Sequence, residues 1–230
     1  NSNYDYTVSS VTSSLNYAYL QNPDCKNAAL SLFNNRVRND LAQLGYQFVA
    51  TKGYSSFNDI DDADIYLNYL TDSGFKDTVA RSQFAAMFAE TTLLRALFEH
   101  YYMNPVKNDF LPYWFLTGRV EDSVLGYASL WYNQTVYVFD QLEELPGRAG
   151  NYFVYAHINA PHEPYVFDRE GNFRYTNNPE DDLPYYTDTV VYLNKRVLEL
   201  VDVLISESAT TPIIILQGDH GAHMLTSGVD

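Results

Sequence analysis

The sequence predicts an α/β fold with a mainly parallel central sheet, and three observations carry that prediction. Ile213, Ile214, Ile215 and Leu216 form a short, wholly apolar, β-branched run between Pro212 and Gly218, the pattern of a strand buried on both faces. Residues 152–156, YFVYA, make a second run of the same kind. Helical periodicity leads into a strand candidate in two places, at residues 30–50 and 190–216, and helix followed by strand is the unit that builds a parallel sheet.

Taken in order, Val8, Val11, Leu15 and Tyr19 recur at spacings of 3, 4 and 4 and predict a helix that starts near Thr7. Thr7, Ser9, Ser10, Thr12, Ser13 and Ser14 crowd its beginning. Ser and Thr are indifferent helix formers that pack small or cap a first turn. At a helix N-terminus a hydroxyl also lies beside free N–H groups that stabilise an anion. Asn22-Pro23 signals a second helix, continued by Leu30, Phe33, Val37, Leu41 and Leu44 and closed by Gly45. Residues 46–50 then read as a strand. Asp59, Asp61, Asp62 and Asp64 lack the Gly and Glu that an EF-hand loop needs and read as a solvated acidic turn ahead of a helix. Residues 79–102 are apolar nearly all round, a long buried helix in which His100 serves as a C-terminal cation. Residues 108–118 read as an aromatic loop or short strand. Residues 127–142 predict another helix, ended by Pro146-Gly147. Asp181, Asp182 and Pro184 introduce a last one with Val190, Leu193, Val197, Leu200, Val201 and Leu204 on one face. No repeat or domain boundary interrupts residues 1–230, which read as a single domain. The absence of an initial Met and the stop soon after His223 read as an excerpt of a longer protein.

Composition narrows the function classes. A 230-residue chain that is 46% hydrophobic has the means to build a sizeable core. Fourteen Lys plus Arg against 29 Asp plus Glu give a net charge of −15, which repels polyanions and leaves no nucleic-acid partner to expect. Cys25 is the single cysteine, so no internal disulfide forms. No apolar run approaches the ~20 residues of a spanning helix, and no membrane contact is expected from this segment itself.

An open parallel sheet presents its ligands beyond the carboxyl ends of its strands. Gln217, Asp219, His220 and His223 stand at one such end. Asp219 offers a hard oxygen donor and His220 a nitrogen donor, with Gly218 and Gly221 permitting a tight backbone around them. Alone, Asp-His-Gly reads first as a polar turn in which Asp219 caps the next element. The second strand changes that weighting, because it runs into His157, Pro161, His162, Glu163, Pro164 and Tyr165. Two parallel strands ending in histidines bring both sets to one edge. His157 alone reads equally as a hydrogen-bonded core histidine, whereas His162, between two prolines, has less packing reason to be there.

Four blocks, NSNYDYTVSSVTSSLNYAYL, NNRVRNDLAQLGYQFVAT, NYFVYAHINAPHEPYVFDREGNFRY and YTDTVVYLNKRVLELVDVLISESATTPIIILQGDHG, resemble successive blocks of the sulfatase-like branch of the alkaline phosphatase superfamily. The likeness is greatest to bacterial membrane-anchored sulfatase-like proteins related to lipoteichoic acid synthases and phosphoethanolamine transferases. The resemblance implies a three-layer alkaline-phosphatase-like fold, truncated at both ends, on the extracytoplasmic or periplasmic side as the soluble domain of a membrane-anchored parent. It implies a divalent cation (zinc, manganese, magnesium or calcium) held by Asp219, His220, the nucleophile and an acidic residue on a strand that would precede Asn1. Thr7 stands where the Thr-bearing members carry the nucleophile, and His162 lies in the block resembling PHxPY, facing the leaving group or substrate. The implied activity is hydrolysis or transfer at phosphate or sulfate esters of envelope glycans or lipids. Chemically, an alcohol needs a metal or a base to attack near neutral pH.

Cys25, in DCKNA, does not match the Cys-x-Pro-x-Arg motif of sulfatases proper, which makes sulfate-ester hydrolysis the weaker branch. A degenerate domain that binds glycans or envelope polymers without catalysis is the alternative, and 21 Tyr suit sugar stacking. A metal-free serine hydrolase is disfavoured, since no G-x-S-x-G elbow occurs. Thr7 itself reads equally as nucleophile and as a plain N-cap.

Overall fold

The computed structural model describes residues 4–20, 32–53, 59–73, 124–175 and 182–220. The start of the second predicted helix, the apolar helix at 79–102 with His100, the aromatic segment at 108–118, and His223 lie outside the described residues.

The chain is an α/β protein. Strand β1, Gln47–Thr51, lies between β2, Ile65–Leu67, and β3, Tyr152–Tyr155. All three run parallel, with Val49 opposite Ile65 and Val154, as the helix–strand pattern predicts. Because side chains alternate across a pleated strand, the sheet has two apolar faces. Phe48, Ala50, Phe153 and Tyr155 face one way, where Val11, Leu15, Leu32 and Ile60 join them. Val49, Leu67, Tyr152 and Val154 face the other, against Ala128, Trp131, Phe139, Leu193 and Leu200. Helix α1, Thr7–Asn16, belongs to the first layer; α4, Val124–Glu144, and α5, Asp182–Glu207, form the second. Between them α2 spans Arg36–Gln43 and α3 spans Tyr69–Asp72. Full burial of a Val, Leu or Phe side chain contributes about 1.5–3 kcal/mol; Val49, Ala50, Phe139 and Phe167 are wholly buried, so the sandwich is held from both sides. Across the α4–α5 contact, Arg196 reaches Asp140 at 3.3 Å and Glu143 at 3.0 Å and lies over the Phe139 ring.

Helix α1 starts at Thr7, as predicted, but ends at Asn16. Tyr17 takes a left-handed conformation (φ 55°), so Tyr19 lies beyond the helix and is exposed rather than on its buried face. The second predicted helix is interrupted. Asn35 is extended and buried; its side-chain oxygen accepts from Arg38 N at 2.8 Å and its amide donates to Leu32 O at 2.9 Å. That cap restarts the helix inside an unbroken apolar periodicity. Gly45, at φ 82°, closes it as expected.

The acidic turn leads into β2 rather than directly into a helix, and it is not simply solvated. Asp59 binds Lys52 and the Tyr66 hydroxyl, Asp62 pairs with Arg38 at 2.8 Å, and Asp64 accepts from Phe48 N at 2.7 Å. The carboxylates tie the turn to β1 and α2. The predicted helix at 127–142 and the last helix appear as α4 and α5, with Pro146 in a 3₁₀ turn after α4.

The largest correction concerns residues 213–216. They lie outside the sheet and hydrogen-bond to none of the three strands. Ile213 is 93% exposed and Ile215 80% exposed, not buried on both faces. Periodicity reports apolarity, whereas a strand also needs a hydrogen-bonding neighbour. Both sides of β1 are taken by β2 and β3, and neither edge strand is joined by this segment.

Candidate functional site

Parallel pairing puts the carboxyl ends of β1 and β3 side by side, and each feeds the same crevice. After β1, Thr51 Oγ1 accepts from the His157 backbone N–H at 3.0 Å and approaches the His157 carbonyl at 3.3 Å. This doubly bonded junction fixes the turn in which β3 gives way to its His-bearing loop. Tyr155, the last residue of β3, stacks on the His157 ring at 6.2 Å.

The first turn of α1 and the segment after residue 216 meet in this crevice. Thr7 Oγ1 donates to Asp219 Oδ2 at 2.5 Å, and His220 Nε2 lies 3.2 Å from Thr7 Oγ1 and 3.4 Å from Asp219 Oδ2. Gln217 also donates to Ser14 Oγ at 3.3 Å, tying this segment along α1. Residues 212 positions apart therefore form one polar triangle. Tyr6, in extended conformation, occupies the cap position, and its carbonyl accepts from Ser10 N at 3.0 Å. Thr7 is thus the first helical residue, and its hydroxyl goes to Asp219 rather than to the helix's own N–H groups. The plain N-cap reading is corrected on that ground. Asp219 likewise bonds across the molecule.

Electrostatics fit the geometry. Burial pushes the Asp219 carboxyl up, but the Thr7 hydrogen bond and the neighbouring His220 and His157 outweigh it and hold it below its ordinary value. Burial pulls the His157 imidazole below its ordinary value, against the opposing pull of Asp219 and of a hydrogen bond with Asn159. His157 therefore stays neutral at pH 7, a half-buried histidine beside the site. For Tyr155, burial and then the Asp219 charge push the phenol well above its ordinary value.

His162 follows β3 by a further turn, between two cis X–Pro bonds. Its ring lies 5.8 Å from that of Trp131, and its Nδ1 is 2.9 Å from Glu163 O. A carbonyl only accepts, so Nδ1 carries a proton and Nε2 is the ring nitrogen left for another partner. His162 is exposed and lies within electrostatic range of His157, while no hydrogen bond joins it to Thr7, Asp219 or His220. Sequence reasoning brought Thr7, Asp219 and His220 to one place and His162 to the same edge. It missed Tyr155, whose position two residues before His157, on the α1 face of the sheet, was the available signal.

No group of three or more His, Cys, Asp or Glu side chains suited to a metal occurs among the described residues. The donor atoms Thr7 Oγ1, Asp219 Oδ2 and His220 Nε2 lie 2.5–3.4 Å apart; ligands at about 2.0–2.2 Å around a tetrahedral cation lie about 3.3–3.6 Å apart, so His220 is already at ligand spacing and the hydrogen-bonded Thr7–Asp219 pair would open by about 1 Å. The Thr7 proton and the hydrogen that His220 Nε2 directs at Thr7 lie between these atoms, and a cation there would displace both.

The fold and the site together define a three-layer α/β protein with a Thr-Asp-His cluster at the carboxyl edge of a parallel sheet. No family model, no curated protein and no solved structure matches the chain.

Proposed function

We propose that this chain is the catalytic part of a metal-dependent hydrolase or transferase acting on phosphate or sulfate esters, of the sulfatase-like kind that its sequence blocks resemble. The observation that carries the reading is the hydrogen bond from Thr7 to Asp219 with His220 alongside. A hydroxyl at the start of a helix, aimed at a carboxylate from the far end of the chain, suits a nucleophile better than a surface residue.

Each residue then has a task. Without a cation, Asp219 Oδ2 accepts the Thr7 hydrogen bond and orients its oxygen; with one, the Thr7 proton would pass to solvent. Asp219 and His220 would hold a divalent cation, zinc, manganese, magnesium or calcium, together with the Thr7 oxygen. When bound, the cation supplies charge for the developing alkoxide and for the ester oxygens. The first turn of α1 adds free backbone N–H groups. His162, when both of its ring nitrogens carry protons, would give the Nε2 proton to the leaving oxygen while its Nδ1–H stays on Glu163 O. The substrates would be lipid- or glycan-linked esters of the cell envelope, and the domain would work outside the cytoplasm. Among the described residues no helix is long and apolar enough to cross a membrane.

The test is hydrolysis of bis-para-nitrophenyl phosphate by the purified protein with and without added Mn²⁺ or Zn²⁺. Cation-dependent hydrolysis that disappears in Thr7→Ala and in Asp219→Asn supports the reading. Hydrolysis unchanged in both variants, or none from the wild type with either cation, contradicts it.

A further inference from the structure

The Tyr155 hydroxyl is a polar group beside this crevice that the mechanism above leaves unused. Its oxygen is buried and has no hydrogen-bond partner among the described residues, although leaving a buried hydroxyl unpaired is costly. The ring is held from several sides. It packs on the Phe48–Ala50 cluster, as do Val11 and Leu15 of α1, and it stacks on His157. Val11 lies one helical turn from Thr7, so the two share the face of α1 that meets the sheet. Tyr155 ends β3 at the carboxyl edge beneath that face, close enough for its phenol to feel the Asp219 charge. A phenol kept protonated by burial and by a nearby carboxylate donates a hydrogen bond but does not ionise.

We propose that Tyr155 is a ligand-binding residue: its hydroxyl donates to a non-bridging oxygen of the phosphoryl or sulfuryl group placed against Thr7. The proposal rests on the proposed function. It also accounts for an oxygen left without a partner, since a site preorganised for an anion keeps its donor free until the anion arrives. Both ester classes offer the same tetrahedral oxyanion, so inorganic phosphate and inorganic sulfate serve as probes. The interaction is charge-assisted, and such bonds are roughly twice as strong as neutral ones.

The experiment compares wild type and Tyr155→Phe by thermal melting without ligand and by calorimetric titration with phosphate and with sulfate in the presence of Mn²⁺. The substitution removes only the unpaired oxygen. The ligand-free melting temperature should therefore stay or rise, Mn²⁺ affinity should be unchanged, and anion affinity should fall about tenfold or more at every pH between about 6 and 9. Equal anion affinity in the two proteins overturns the proposal, and so does a clear fall in the ligand-free melting temperature, which would mean the hydroxyl serves the fold. Wild type that binds neither anion overturns the proposed function and this inference with it. Wild type that binds one anion with no loss in Tyr155→Phe leaves that function standing and removes only Tyr155 from it. Loss confined to phosphate or to sulfate identifies the ester class.

Discussion

At the scale of single residues, the site is decided by which hydroxyl leaves its own helix. Thr7, Ser9 and Ser10 are neighbours in sequence, yet the Thr7 side chain points off the first turn to Asp219 while Ser9 and Ser10 are buried. Against the cost of burial, the Thr7 hydrogen bond leads the effects that hold Asp219 ionised, so its carboxylate is available to a cation at neutral pH. Asp219→Asn keeps an acceptor for Thr7 and loses the charge. It should change the melting temperature little and lower Mn²⁺ affinity by at least about tenfold, because a neutral amide oxygen is a poorer ligand for a hard cation. Calorimetric titration reads the loss, and unchanged affinity would remove Asp219 from the ligand set. The residue types here were legible before any coordinates. Tyr155 was not, because an aromatic residue in an apolar run reads as core, and only its face and its unpaired oxygen distinguish it.

At the scale of elements, caps and pairings explain both what the sequence shows and what it hides. The apolar spacing from Leu30 to Leu44 continues through the place where the chain breaks, and the break is made by Asn35, a residue whose local hydrogen bonds compete with a continuous helix. Asn35→Ala should cost about 1–2 kcal/mol, the range of a lost cap, read as a lower urea midpoint. A change within error would mean the cap is dispensable. At α3, the Asn68 side chain accepts from Leu70 N, and Asp72 accepts from Asn68 N at 3.0 Å and from the Tyr137 hydroxyl on α4. Burial raises the Asp72 carboxyl, but those bonds and that from Thr71 hold it below its ordinary value of 3.8. The folded value is the lower one. The stabilisation is therefore complete above the unfolded value near 4 and is lost as pH falls through the depressed folded value. Asp72→Asn should shallow the acid limb of the stability profile and cost under about 1 kcal/mol at pH 7, since the group is largely exposed. An unchanged limb would show that another carboxylate governs it. The segment at 213–216 marks the opposite limit. Its composition is that of a buried strand, but strand formation depends on a partner, and neither β2 nor β3 is that partner.

At the scale of the whole molecule, the parallel order β2-β1-β3 brings the loops after β1 and β3, with His157 and His162, to one edge, while Thr7 comes from α1 and Asp219 and His220 from the segment after residue 216, outside the sheet. The α/β class was legible from helix–strand alternation, since local periodicity records which faces are apolar. The junction of Thr7 with Asp219 was reached through the resemblance of the blocks, because spacing alone carries no information about contacts 212 residues long. The excess of 29 acidic over 14 basic residues makes self-repulsion a property of the entire fold. Raising NaCl from about 20 mM to about 200 mM shortens the screening length and should raise the melting temperature by a few degrees. A flat or falling melting temperature would show that local ion pairs outweigh the net charge. The central claim, that the fold makes the Thr7 oxygen the reacting group, is tested most directly by intact-protein mass spectrometry with peptide mapping, after incubation with Mn²⁺ and a phospho-donor and an acid quench. The account predicts a covalent phosphoryl adduct on the peptide bearing Thr7, absent in Thr7→Ala and retained in Ser9→Ala and Ser10→Ala; an adduct that persists in Thr7→Ala and disappears in either serine variant would contradict it.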